Sequence, residues 1–184
     1  MGKLNVFNFI TLNGFYKGTG EDISWHRHGP EESQYATEGA GSGRIILFGR
    51  KTYEMMAGYW PTPDAFKNNP GVAEGMNSSE KIVFSRTLKK AAWNNTRLIG
   101  DNITGEIRKM KKSSEKDLVI LGSGSIVTQF ADEGLIDEYL IMLDPVVLGD
   151  GSSIFKNIRR KLELRLVNSR VFKSGVVLLT YFPL

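Results

Sequence analysis

Short apolar runs alternate with stretches of helical spacing along this chain, and that alternation limits the possible folds more than any other feature. The apolar runs lie at residues 4–10, 44–48, 81–84, 118–121 and 139–148. They are rich in Val, Ile, Leu and Phe without regular polar alternation, which is typical of strands covered on both faces. Because helices separate the strands, the pattern predicts an α/β fold with a mostly parallel central sheet.

The segments between the runs predict the flanking helices. Helical spacing occurs at residues 30–38, 52–57, 105–112 and 126–133. Pro30 suits the first turn of the first helix, and Gly134 suits the end of the last. Each helix can then connect two strands that run in the same direction, as a parallel sheet requires.

The C-terminal part departs from this rhythm. Residues 162–171 and 176–182 are rich in strand-forming side chains and are joined across 173–175, which predicts an antiparallel hairpin. The sheet is then mixed, and we expect one domain over residues 1–184. Residues 61–79 are largely polar and contain three prolines and two glycines. They predict a long surface loop beside a functional site.

The composition excludes several classes of site. There is no cysteine, which excludes disulfides, thiolate zinc sites, iron–sulfur clusters and cysteine nucleophiles. The only histidines are His26 and His28, so we predict no metal site. The net charge of +4 is spread along the chain, and no apolar run approaches the ~18 residues of a membrane span. We therefore expect a cytoplasmic protein that binds a small molecule, with neither nucleic acid nor a membrane as partner.

Three of the predicted strands end in similar polar sequences. These are Gly49-Arg50-Lys51-Thr52, Ser85-Arg86-Thr87 and Gly122-Ser123-Gly124-Ser125. Ligands of open α/β sheets bind beyond the carboxyl ends of strands. Basic side chains, hydroxyls and the free N–H groups of a helix start together suit a phosphate. The three ends therefore predict a site for a large phosphorylated ligand, such as a cofactor with a pyrophosphate and a further phosphate.

Neither glycine-containing end matches a phosphate-binding motif by itself. Gly43 lies six residues before Gly49, whereas a P-loop requires five. Val127 stands where the dinucleotide fingerprint needs its third glycine. An ordinary basic turn at residues 49–52 and a tight strand–helix turn at residues 122–125 are therefore the alternatives.

The chain also resembles a known family, the dihydrofolate reductase-like reductases. The resemblance is strongest to stand-alone relatives of the reductase domain of bacterial riboflavin biosynthesis. It rests on stretches that follow the family's order over nearly the whole chain: TLNG (11–14), GRKTYE (49–54), YWP (59–61), SRTL (85–88), GSGS (122–125), GLIDEY (134–139), PVVLG (145–149) and SGVV (174–177). It implies a three-layer fold: a mostly parallel, mixed central sheet with a C-terminal antiparallel hairpin and flanking helices.

The resemblance further implies NADPH as the hydride donor and a heterocyclic or carbonyl substrate, of pterin or 5-amino-6-ribosylamino-pyrimidine type. By position in the family, the adenosine 2′-phosphate is surrounded by Arg50, Lys51, Ser85 and Arg86, with Thr87 in the same turn. Thr52 serves the pyrophosphate, and the run Gly122, Ser123, Gly124 and Ser125 passes under it towards the nicotinamide. A homodimer is also implied, to which the 139–148 strand contributes.

One position departs from the family pattern. The family's first-strand motif is Leu-Asp-Gly, whereas this chain has Leu12-Asn13-Gly14. An amide can position a substrate but cannot act as a general acid or base. The proton would then come from water or from a carboxylate such as Glu31 or Glu32. A plain turn at Asn13 is the alternative.

Asn13, Tyr53 and Trp60 are the predicted substrate residues, the two aromatic rings by stacking on a planar heterocycle. The alternative for both rings is that they anchor a helix to the core. Either His26 or His28 could be a general acid, although loop histidines are commonly solvated. We assign no catalytic residue from the sequence.

The sequence thus predicts an NADPH-dependent oxidoreductase similar to those of riboflavin biosynthesis. Because of Asn13, the alternative is a non-catalytic protein that keeps the fold and binds NADPH or another phosphorylated nucleotide. A sensor of phosphorylated ligands without nicotinamide binding is a further alternative. The chain lacks the Cys-containing zinc motif of the deaminase domain fused to many riboflavin-pathway reductases, so we expect no deamination.

Overall fold

Ten strands and six helices make up the fold. The computed structural model describes the whole chain, from Met1 to Leu184. The strands are β1 (Leu4–Thr11), β2 (Phe15–Lys17), β3 (Ile45–Gly49), β4 (Lys81–Phe84), β5 (Thr96–Ile99), β6 (Leu118–Leu121), β7 (Glu138–Asp144), β8 (Ser152–Ser153), β9 (Leu164–Val171) and β10 (Val177–Pro183). The helices are α1 (Pro30–Ala40), α2 (Arg50–Tyr59), α3 (Pro63–Asn68), α4 (Pro70–Ser78), α5 (Ile103–Ser113) and α6 (Gly124–Asp132). None of the helices has the length and apolar character needed to cross a membrane.

Eight strands form one sheet, in the spatial order β5–β4–β3–β6–β1–β7–β10–β9. The strands from β5 to β7 run parallel, whereas β10 is antiparallel to both β7 and β9. Gly175, with a φ of +91°, allows the tight turn between β9 and β10. The predicted mostly parallel, mixed sheet and its C-terminal hairpin are confirmed.

Helices cover both faces of the sheet, because alternate side chains of each buried strand point to opposite sides. On one face, Leu4 of β1 packs with Ile107 of α5 and Phe130 of α6. On the other face, Phe48 of β3 packs with residues of α2 and α4, while Tyr35 of α1 packs near the β7–β10 pair. The fold therefore has the three-layer arrangement that the resemblance implies.

The segment 61–79 is helical, so its prediction as a long surface loop was wrong. Pro63 and Pro70 each stand in the first turn of a helix, where the missing N–H is tolerated. The Thr62 hydroxyl caps α3 by accepting a hydrogen bond from the Ala65 amide. The second helix of the segment, α4, is held by its buried residues Val72, Ala73, Gly75 and Met76.

The strand predicted at 139–148 is shorter and more enclosed than expected. It ends at Asp144 because Pro145 has no N–H to donate to a neighbouring strand. As β7, it lies between β1 and β10, and residues 139–142 are buried. The exposed part of the predicted range lies beyond the strand, where Val147 is 64% exposed, and the homodimer stays a prediction. The exposed edge on this side is β9, where Val171 is 73% exposed.

Candidate functional site

The carboxyl ends of the parallel strands lie together at one edge of the sheet. Gly49 at the end of β3 pairs with Phe84 at the end of β4, and Leu47 pairs with Ile120 of β6. Neighbouring strands lie about 4.8 Å apart. The structure therefore brings together the three predicted strand ends, at residues 49–52, 85–87 and 122–125.

Ser123 joins the ends of β3 and β6. Its hydroxyl accepts a hydrogen bond from the Gly49 amide at 2.7 Å and donates one to the Thr52 hydroxyl at 2.9 Å. Ser123 and Gly122 both have left-handed backbone, with φ of +63° and +60°. A Cβ on Gly122 would lie 3.1 Å from Cγ2 of Thr52, so glycine permits this close approach. We call Gly49, Thr52, Gly122 and Ser123 the junction.

Two helices begin at the junction with uncapped N-termini. No side chain caps α2, which begins at Arg50, or α6, which begins at Gly124. First-turn N–H groups have no partner inside a helix, and the macrodipole places about +0.5 charge at each N-terminus. The junction therefore offers N–H donors and positive potential from two helices, which suits a diphosphate.

Three exposed cations flank the junction, and each is paired with a carboxylate. The N–O distances are 3.0 Å for Arg50–Glu54, 3.0 Å for Lys51–Glu21 and 3.3 Å for Arg86–Asp101. The Ser85 hydroxyl accepts hydrogen bonds from the amides of Thr87 and Leu88, which fixes the turn that carries Arg86. Exposed ion pairs contribute only about 0–1 kcal/mol each. A phosphate can therefore replace these carboxylates at little cost.

Tyr53 lies in the core rather than at this edge. Its side chain packs against Phe48 and Trp93, with ring centroids 6.4 and 6.3 Å away. Its hydroxyl accepts a hydrogen bond from the Trp93 amide at 3.0 Å. Protein surrounds the ring, which is only 4% exposed, so the structure favours the alternative in which Tyr53 anchors α2 to the core.

Trp60 lies at the opposite end of α2 from the junction. It follows the last residue of the helix, about 15 Å along the axis from Arg50. Its indole N–H contacts the Met56 sulfur, and its carbonyl accepts a hydrogen bond from Asn77. These contacts place Trp60 among helix-packing residues, away from the strand ends.

Asn13 links the loop after β1 to the loop after β7. Its Nδ2 donates to the Leu148 carbonyl at 2.7 Å, and its Oδ1 accepts from the Thr11 hydroxyl at 2.8 Å and from the Leu148 amide at 3.3 Å. Both ends of the amide are therefore used within the protein. A carboxylate would place an oxygen against the Leu148 carbonyl, so asparagine suits this link better than aspartate does.

A buried carboxyl group, not predicted from the sequence, lies beside Asn13 at the same edge of the sheet. Asp144 is the last residue of β7 and pairs with Thr11 at the end of β1. It is 0% exposed; its Oδ1 accepts a hydrogen bond from the Arg27 amide at 2.9 Å, and its Oδ2 has no partner. The sequence signal was an acidic residue that ends an apolar strand directly before a proline.

The segment 22–29 covers this carboxyl group. Within it, the His26 ring stacks on Phe9 with centroids 4.5 Å apart, and its Nε2 is buried without a partner. Burial, assisted by the charge of His28, lowers the pKa of His26 to about 4. Burial also raises the pKa of Asp144 above that of an ordinary aspartate. The segment 22–29 therefore carries a neutral imidazole and covers an acid that keeps its proton to higher pH.

The two carboxylates considered from the sequence as proton donors already have partners. Glu31 accepts a hydrogen bond from the Lys173 amide at 3.0 Å. Glu32 is buried at the start of α1 and is hydrogen-bonded to the Ser174 hydroxyl. Both side chains hold α1 against the β9–β10 hairpin.

Comparison with known proteins assigns the family. The sequence matches the RibD C-terminal domain over residues 2–178. The chain belongs to the RibD C-terminal domain family. One relative is the uncharacterized protein YyaP of Bacillus subtilis (strain 168). The two sequences are 34% identical over 172 residues, which cover 94% of this chain and 90% of the relative.

Solved structures of known proteins share the fold of this RibD C-terminal domain. The deaminase/5-amino-6-(5-phosphoribosylamino)uracil reductase of Thermotoga maritima superposes with a TM-score of 0.71 at 13% identity, over 100% of this chain and 57% of that one. A dihydrofolate reductase from Enterococcus faecalis, complexed with NADP(H), superposes with a TM-score of 0.67 at 17% identity, over 99% and 96% of the two chains. At these identities the likeness concerns the fold.

Proposed function

We propose that this protein is an NADPH-dependent reductase that transfers a hydride to a small heterocyclic or carbonyl substrate. The observation that carries the proposal is the junction, where the hydroxyl of Ser123 holds together two strand ends and two uncapped helix N-termini. Membership of the RibD C-terminal domain family supports a reductase. The likeness to a dihydrofolate reductase that binds NADP(H) supports the choice of cofactor.

The junction fits a diphosphate, and the flanking cations fit a further phosphate. An added Cβ on Gly122 would crowd Thr52, and glycine also suits its left-handed backbone, so the strand end stays close to the start of α2. Arg50 and Arg86 stand on adjacent strand ends, and guanidinium groups bind phosphate oxygens in a bidentate manner. We infer that these cations select NADPH over NADH by binding the 2′-phosphate.

When bound, the cofactor supplies the hydride from its nicotinamide ring. The chain's own part is to bind the diphosphate at the junction, to orient the ring and to limit access of water. Gly124 lies against the Tyr16 ring, which an added Cβ would approach to 3.1 Å. Tyr16 therefore packs against the start of α6, beside the junction.

We propose a pterin or a 5-amino-6-ribosylamino-pyrimidine as the substrate class. The support is the family, together with the activities named for two proteins of the same fold, a 5-amino-6-(5-phosphoribosylamino)uracil reductase and a dihydrofolate reductase. Both compounds carry a flat, nitrogen-rich ring. Phe9 of β1 already stacks on a flat ring, that of His26, and such a substrate ring could stack on it in the same way.

The direct test is cofactor consumption with each candidate substrate. NADPH absorbance is followed with 5-amino-6-(5-phosphoribosylamino)uracil and with 7,8-dihydrofolate, and NADH is the matched comparison. We expect turnover of one of the two compounds and faster turnover with NADPH. Tight NADPH binding without turnover of either compound would instead support the non-catalytic alternative. Failure to bind NADPH would contradict the proposal as a whole.

A further inference from the structure

Asp144 differs from the other buried acids of this protein. Three carboxyl groups are buried, those of Glu32, Asp132 and Asp144. Only Asp144 has a buried oxygen atom without a hydrogen-bond partner. A buried polar atom without a partner destabilises a folded protein by about 1–3 kcal/mol. Such an atom in a native structure calls for an explanation, and a ligand that supplies the missing partner is one.

Asp144 lies at the same edge of the sheet as the junction. The strand β1 separates β7 from β6, and Asp144 is level with Thr11 of β1, whereas Leu121 is level with Phe7. The end of β7 therefore lies two strand spacings across the sheet and about three residues along it from Gly122, roughly 14 Å away. Thr11 pairs with Asp144 and donates its hydroxyl hydrogen bond to Asn13. If the cofactor's diphosphate lies at the junction and its nicotinamide extends towards β1, a substrate that stacks on the nicotinamide would lie near Asp144.

The other candidates for an acid at this edge are less suitable. Asn13 has no ionisable proton and is tied to Leu148. His26, whose pKa is about 4, is neutral at physiological pH and does not hold a readily donated proton. Glu31 and Glu32 are bonded to the hairpin. His28 is exposed to solvent, so Asp144 is the buried acid that remains.

We propose that Asp144 contacts the substrate through its free Oδ2 and donates the proton that completes the reduction. This inference rests on the proposed reductase function. Hydride adds to the carbon of a C=N or C=O bond, and the π electron pair moves to the nitrogen or oxygen. That atom takes the proton from the Asp144 carboxyl group. The substrate gains two electrons, the cofactor leaves as NADP⁺, and the Asp144 carboxylate regains a proton from water.

To reach Asp144, the substrate has to displace part of the segment 22–29, which covers the carboxyl group. The segment 22–29 has no helix or strand, and it touches the carboxyl group through the amide of Arg27. The His26 ring that lies on Phe9 shows that a flat ring fits at this place, because the two planes are inclined by only 17°. A pyrimidine or pterin ring can take the same position.

The charges around Asp144 define the expected pH dependence. Burial raises its pKa, and the negative charge of Glu32 on α1 acts in the same direction. The Arg27 amide and the charges of His28 and Arg27 act in the opposite direction. The net effect is a raised pKa, so Asp144 stays protonated to higher pH than an ordinary aspartate. The rate of reduction should fall as the pH rises through this raised value.

A first experiment tests the protonation of Asp144 without any substrate. In the NADPH-bound protein labelled with ¹³C at aspartate Cγ, the Asp144 signal is assigned by its loss in Asp144→Asn. Asp132 is the matched control, because its carboxylate accepts two hydrogen bonds from Arg159 and these lower its pKa. We expect Asp144 to titrate above, and Asp132 below, the ordinary aspartate pKa. Titration of Asp144 at or below the ordinary value would overturn the proposal.

A second experiment measures the pH profile of kcat/KM with whichever of the two candidate substrates is reduced. Asp144→Asn keeps the acceptor for the Arg27 amide but has no acidic proton. We expect kcat to fall by about 10²–10⁴-fold, the usual contribution of a general acid. We also expect the fall of activity at high pH to disappear, with NADPH affinity unchanged. Asp132→Asn should keep the wild-type profile.

The two proposals fail in different ways. An Asp144→Asn variant with wild-type kcat and pH profile would refute the role of Asp144 while leaving the reductase intact. If neither compound is reduced, the reductase function is contradicted, and the NMR titration still decides whether Asp144 holds a proton at elevated pH. A variant that merely unfolds is recognised by its loss of NADPH binding, and the titration of the wild-type protein then decides.

Discussion

Replacing Ser123 should show how strongly the junction depends on a single hydroxyl group. Ser123→Ala removes the acceptor of the buried Gly49 amide and the donor to the Thr52 hydroxyl. It keeps a side chain at a position whose φ is +63°. Ser123→Gly removes the same two hydrogen bonds and also relieves the left-handed strain. The two variants therefore separate the hydrogen bonds from the backbone strain.

The magnitudes follow from these contacts. A buried amide left without a partner costs about 1–3 kcal/mol, and the hydroxyl–hydroxyl bond contributes about 0.5–1.5 kcal/mol. Ser123→Ala should therefore lower the free energy of unfolding by about 1.5–4.5 kcal/mol. Left-handed backbone costs a residue with a side chain about 1–2 kcal/mol. Ser123→Gly should accordingly be more stable than Ser123→Ala by about that amount.

Urea unfolding of both variants, followed by circular dichroism, measures these differences. Ser125→Ala is the control, because Ser125 is exposed on the same helix start and makes no comparable bond. Its stability should stay within about 0.5 kcal/mol of the wild type. A Ser123→Ala variant as stable as the wild type, or a glycine variant less stable than the alanine variant, would refute this reasoning.

Three further predictions concern the predicted site residues. Arg50→Ala should weaken NADPH binding by about 1.5–3 kcal/mol, the contribution of a charge-assisted hydrogen bond, and leave NADH binding nearly unchanged; calorimetric titration with equal losses for both cofactors would contradict the 2′-phosphate assignment. Asn13→Asp should lower thermal stability at neutral pH, since a carboxylate would face the Leu148 carbonyl, and the loss should shrink in acid as the new carboxyl group is protonated; stability equal to the wild type at neutral pH would count against this link. Tyr53→Phe should lower the free energy of unfolding by about 1–3 kcal/mol, because the buried Trp93 amide loses its acceptor. The KM for the substrate should stay unchanged, and a raised KM would show that Tyr53 contacts the substrate.

Much of the sheet could be predicted from the sequence because buried parallel strands have a distinctive composition. The runs that became β3, β4 and β6 are almost continuously apolar, β1 is mostly apolar, and Gly175 marks the hairpin turn. The strand β5 was not predicted, since only Ile99 of its four residues is buried. The helix α4 was also missed. Its prolines and glycines are typical of loops, although Pro70 occupies a first helical turn.

The strand-end residues of the candidate site could be predicted because ligands of open α/β sheets bind beyond the carboxyl ends of the strands. Finding those ends needs only the order of strands and helices along the sequence. The role of Tyr53 could not, since a ring at that position of α2 can face either the core or a ligand. The burial of Asp144 could not be predicted from the sequence for a different reason. Its burial depends on pairing with β1 and on a cover from Arg27, which is 117 residues away in sequence. Such long-range contacts leave no periodic signal.

The central claim is that the junction and its flanking cations bind NADPH. Titration of the purified protein with NADPH and with NADH, followed by thermal unfolding and nicotinamide fluorescence, tests this most directly. A cofactor at about 100 times its Kd should stabilise the fold by about 2.7 kcal/mol. For a chain of this length that corresponds to a Tm increase of roughly 5–11 °C. The account predicts this increase with NADPH at concentrations where NADH gives little, and an equal response to both cofactors, or none to either, would contradict it.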